Sequence, residues 1–80
     1  MKLPRDVDGA GLARALGKVG YVITRRSGSH IRLSLPGPPQ RHLTIPAHAS
    51  LKVGTLAGIL AEVAKQLDLS REELLERIFG

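Results

Sequence analysis

Cysteine and tryptophan are absent from this chain, and its only aromatic residues are Tyr21 and Phe79. Without cysteine there is no disulfide framework and no thiolate-bound zinc, so a cytoplasmic home is expected. With two aromatic rings, reading of single-stranded bases by stacking has little to work with. No apolar run approaches the roughly 20 residues that span a bilayer. The opening Met1-Lys2-Leu3-Pro4-Arg5-Asp6 does not have the pattern of a signal peptide, and no membrane association is expected.

Acid is scarce in a patterned way. The seven carboxylates are Asp6, Asp8, Glu62, Asp68, Glu72, Glu73 and Glu76, and none falls between residues 9 and 61. That interval holds Arg14, Lys18, Arg25, Arg26, Arg32, Arg41 and Lys52, together +7, against +5 for the whole chain. All three histidines lie inside it. A field so unbalanced attracts polyanions, which makes nucleic acid the expected partner. Hard cations need oxygen ligands, and two-metal nucleases cluster carboxylates. The basic middle has none to offer, so neither a metal nor a cofactor is expected. The alternative ligand set is three histidines, His30, His42 and His48, with His30 and His42 facing each other across neighbouring strands.

What is present reads as one small α+β domain over residues 1–80, with residues 1–7 a short lead-in. At this length a chain buries about 60–65% of its unfolded surface, enough for a modest core. Asp8 is placed to cap a helix from Gly9 to Val19, whose Leu12, Leu16 and Val19 form one apolar stripe. Gly20 suits the left-handed residue that ends it. Tyr21 to Arg26 reads as a strand, and Ser27-Gly28-Ser29 as a turn. His30 to Leu35 is a second strand and Arg41 to Ile45 a third, separated by Pro36-Gly37-Pro38-Pro39-Gln40. Short connections favour an antiparallel meander. Gly54-Thr55 opens a second long helix carrying Leu56, Ile59, Leu60, Val63 and Leu67, and Asp68-Leu69 breaks it. Ser70 and Glu73 have capping-box spacing before a last short helix. The expected architecture is two-layer α-β-β-β-α, with helices on one face of a three-stranded sheet.

The other face is where function is expected. Residues two apart on a strand share a side. His30, Arg32 and Ser34 therefore line one surface, while Ile31, Leu33 and Leu35 line the other. His42 and Thr44 join the first surface from the third strand, and alternation adds Thr24 and Arg26 from the first. A proton-transfer group beside a fixed cation suits a phosphodiester. Arg26, Arg32 and Lys52 are candidate phosphate contacts. Gly28 allows a tight turn that positions His30, and the Ser29 hydroxyl can donate to a phosphate.

These residues resemble the HicA toxin family of type II toxin–antitoxin systems, small mRNA-cleaving ribonucleases with a double-stranded-RNA-binding-domain-like (dsRBD-like) fold. The resemblance covers roughly residues 10–79. Gly20-Tyr21 is similar to the family's glycine-aromatic junction, and Gly28-Ser29-His30 to its signature. Leu43-Thr44-Ile45-Pro46-Ala47-His48 is similar to its hydrophobic-proline-x-histidine segment. Gly54-Thr55-Leu56 with Ile59-Leu60, and Ser70 to Phe79, are similar to its second helix and closing tail. The resemblance implies catalysis by His30, a substrate-side part for His48, and neutralisation by a cognate HicB-type antitoxin. The alternative on the residues alone is a non-catalytic double-stranded-RNA-binding module, which shares the order of elements. A partner protein with no RNA role is a third reading.

Overall fold

The structure is a computed structural model that describes residues 3–80; of the expected lead-in, residues 1 and 2 lie outside the described residues. The chain forms helix α1 (Gly9–Leu16), strands β1 (Val22–Ser27), β2 (His30–Leu35) and β3 (Arg41–Pro46), and helices α2 (Val53–Leu67) and α3 (Arg71–Phe79). The sheet is antiparallel in the order β1-β2-β3. Helix α1 packs on β2 and β3, α2 packs on β3, and α3 packs against the other two helices. The α-β-β-β-α order and the two-layer α+β architecture are those expected. No helix among the described residues is long and apolar enough to cross a membrane.

Each helix begins for a local reason. Asp8 caps α1 by accepting the Gly11 amide at 2.6 Å. Gly9 weakens that first turn, yet it is buried, and a Cβ there would run into the Pro46 carbonyl. Its amide donates to the His48 carbonyl at 2.9 Å, which ties α1 to the loop after β3. The apolar stripe stays helical to Val19, but Gly17–Val19 tightens into a 3-10 turn. Gly20 then reverses the chain at φ +105°. Helix α2 starts one residue earlier than its sequence suggests. Its N-cap is Lys52, which supplies no side-chain bond. Leu51 and Leu56 are both buried and occupy the N′ and N4 positions of a hydrophobic staple, which sets the entry angle in place of a polar cap. Asp68, left-handed at φ 54°, ends α2.

The first strand departs from strict alternation. A two-residue turn, Gly28-Ser29, joins β1 to β2 and pairs Ser27 with His30, Arg26 with Ile31 and Arg25 with Arg32. Farther along, Ile23 pairs with Leu33 and is half-buried against the core. The turn and the core thus demand phases one residue apart. A β-bulge between Ile23 and Arg25 absorbs the difference. The Thr24 hydroxyl at the bulge donates to the Arg32 carbonyl at 3.3 Å. Alternation carried from Ile23 gives Thr24 and Arg26 to the solvent face; beyond the bulge the phase flips to Arg25 and Ser27.

Gly28 sits at φ +56°, and a Cβ at that position would meet nothing within 4 Å. Its requirement is therefore backbone conformation, not space. Gly28→Ala is expected to lower unfolding free energy by about 1–2 kcal/mol in urea titrations. Gly28→Asn, which tolerates the left-handed region, recovers part of that loss. A second expectation concerns α3, where Ser70 and Glu73 form a reciprocal capping box. Bonds from the Ser70 amide and hydroxyl hold the Glu73 carboxyl below its ordinary value of 4.5. The ionised form is thus favoured on folding. Its contribution is complete above 4.5 and is lost as pH falls through the lower folded value. Urea midpoints followed from about pH 6 to about pH 3 should fall less steeply for Glu73→Gln than for the parent.

Candidate active site

Strand β2 sets the geometry. Ile31 and Leu33 are buried at 1% and 0% exposure. Their neighbours His30 and Arg32 therefore point to solvent, and both are exposed. His30 pairs with Ser27 on β1 and Pro46 on β3; Arg32 pairs with Arg25 and Thr44. Arg25, Ser27, His30, Arg32 and Thr44 together line an open depression of about 280 Å³. No carboxylate is among them.

The His30 ring is oriented from the turn. Its Nδ1 lies 3.4 Å from the Ser29 hydroxyl. Its Nε2 has no partner among the described residues. The turn itself is anchored, because the Ala47 amide donates to the Ser29 carbonyl at 2.6 Å. That bond ties the turn to the loop that carries His48. An exposed imidazole with one free nitrogen can take or give a proton. Guanidinium and hydroxyl donors beside it can hold an oxyanion.

Of the site residues expected from sequence, the structure brings His30 and Arg32 together, with Thr44 beside them. Gly28 and Ser29 form the adjoining turn. Arg26 is exposed, but it shares register with buried Ile31 and does not line the depression. His48 and Lys52 are exposed outside it; their carbonyls accept the Gly9 and Leu56 amides at 2.9 Å each. Ser34 shares the expected face but is only 5% exposed, so it is not part of an accessible surface. A buried hydroxyl needs a partner, and the His42 Nδ1 stands 3.0 Å from it. His42 pairs with Ser34, so it does not face His30; the two histidines are four residues apart along the sheet. Among the described residues no three histidine, aspartate or glutamate side chains converge.

Arg25 and Ser27 are the lining residues that sequence reasoning missed. The signal was available: a two-residue Gly-Ser loop fixes Ser27 opposite His30, and counting back from it reaches Arg25. Two further cations of the acid-free interval turn out to be structural. Arg41 Nη1 donates to the Gln66 carbonyl at 2.6 Å near the end of α2. Lys18 Nζ donates to the Ile78 carbonyl at 3.2 Å near the end of α3. Both place positive charge where a helix ends negative. Tyr21, buried in the core, donates its hydroxyl to Gln66 Oε1 at 2.6 Å, and burial raises its pKa.

The family model described as the HicA toxin of bacterial toxin–antitoxin systems matches residues 9–69. That span runs from the first residue of α1 past the end of α2, so it contains the whole sheet and every residue of the depression. The Ser70 to Phe79 tail lies beyond it. No curated protein and no solved structure matched the chain significantly. A match over well over half the chain, on a fold with the expected order of elements, is decisive: the chain belongs to the HicA toxin family of bacterial toxin–antitoxin systems.

Proposed function

We propose that this protein is an mRNA-cleaving endoribonuclease that works without a metal, with His30 as its acid–base group. Family membership implies an antitoxin partner. In this reading that partner is a HicB-type protein, it covers the basic wall in the cytoplasm, and mRNA is the substrate it displaces. The carrying observation is His30 itself: exposed, with a free ring nitrogen, beside Arg32 in a depression lined without acid.

RNA brings its own nucleophile. The 2′-hydroxyl attacks the adjacent phosphorus once its proton is removed, and the bond to the 5′-oxygen breaks. Histidine can take the first proton or supply the one the 5′-oxygen needs. Arg32 stands where it can bond the non-bridging oxygens, whose charge grows at the pentacoordinate stage. The products are a 2′,3′-cyclic phosphate and a free 5′-hydroxyl. Hydroxyls of Ser27 and Thr44 are further donors along the same wall.

Because His30 is exposed and outside the core, His30→Ala should leave the melting temperature and RNA affinity nearly unchanged. Cleavage of a labelled RNA in chelator-treated buffer should fall by roughly 10²–10⁴-fold. Fragment ends carrying 5′-phosphate would overturn the mechanism. A wild-type protein that binds RNA in that buffer yet never cuts it would favour the non-catalytic RNA-binding module instead.

A further inference from the structure

Arg25 and Arg32 are direct cross-strand partners, and both line the depression. Residues so placed have Cβ atoms about 4.5–5.5 Å apart, and like charges in that relation destabilise a sheet. No carboxylate lines the depression to offset the repulsion. Residues 9–61 contain no carboxylate, and neither guanidinium has a side-chain or carbonyl partner among the described residues. Arg41 and Lys18 differ in this respect, since each is spent on a helix end. The arginine pair does no comparable work for the fold.

The pair is nonetheless held in place. The two-residue turn fixes the register on one side, and the bulge at Thr24 fixes it on the other. The Thr24 hydroxyl bonds the Arg32 carbonyl across that bulge. Two guanidinium forks, converging from neighbouring strands, match the non-bridging oxygens of a phosphodiester. The Ser27 hydroxyl lies on the same strand as Arg25 and beside His30.

We propose that Arg25 and Arg32 form a two-armed clamp on a single backbone phosphate, with Arg25 a substrate-binding residue. The clamp rests on the nuclease reading only for what happens next to that phosphate. Its occupant is an oligonucleotide backbone read by charge, without base recognition.

The test uses a 2′-O-methyl RNA oligonucleotide, which lacks the attacking hydroxyl and cannot be cut, with binding followed by fluorescence anisotropy across a salt series. Arg25→Gln should weaken binding at low salt by at least about tenfold. Arg26→Gln removes the same charge one residue away but off the wall, and should cost about threefold or less. Equal losses would reduce Arg25 to a share of the general field and overturn the clamp. In the double variant R25Q/R32Q, the slope of log affinity against log salt should fall by about 0.7, the value for one phosphate. A fall of about 1.4 would mean two independent phosphate contacts and would also overturn it. Without ligand, Arg25→Gln should melt at or above the wild-type temperature, since a repulsion is relieved; a clear drop would assign Arg25 to the fold. If wild type binds the probe through Arg25 but never cuts ordinary RNA, the nuclease reading fails and the clamp stands. If wild type cuts RNA and Arg25→Gln binds and cuts like it, the clamp fails and the nuclease reading stands.

Discussion

Ile31 and Leu33 lie sealed beneath the helices, and a strand cannot turn one residue inward without turning the next outward. Everything on the solvent face of β2 follows from that constraint. His30 and Arg32 are exposed because their neighbours are buried. The apolar contacts that hold the sheet to α1 and α2 thus also aim the polar groups. Each large aliphatic side chain buried in this way contributes roughly 1.5–3 kcal/mol, far more than any interaction on the wall supplies. The core decides the geometry, and the wall inherits it.

Charge is divided on the same principle. The central basic interval is not a uniform field. Lys18 and Arg41 finish helices, where their charge complements exposed carbonyls. Arg25 and Arg32 face each other on open sheet with no acid nearby. Arg26, between structural and solvent roles, shares register with the core face yet remains exposed. Three kinds of environment therefore arise from one composition bias, and only geometry separates them.

The order of elements was legible because each boundary carries a local signal. Asp8, Gly20, Pro36, Asp68 and Ser70 each mark an end through backbone or capping chemistry that acts over a few residues. The alternation of β2 was legible too, since Ile31 and Leu33 fit only a buried face. Alternation along β1 was not, because it depends on two distant requirements meeting in one strand. The turn at Gly28 sets one phase and the packing of Ile23 sets another; only coordinates reveal that a bulge reconciles them. Burial of Ser34 escaped for a similar reason, since its neighbours lie on the flanking strands, Val22 on one side and hydrogen-bonded His42 on the other. Lys52 as the N-cap of α2 escaped because no polar side chain caps that helix and the buried Leu51 and Leu56 mark its start instead.

No residue of the depression belongs to the buried core. Selection on the interior and selection on the surface chemistry therefore act on separate positions. On the proposed reading, one nucleotide change in the codon for His30 would silence the chemistry and leave a protein of unaltered outline. If the antitoxin that the family implies covers this face, such a silent copy would still occupy it and so draw it away from an active sibling in the same cell.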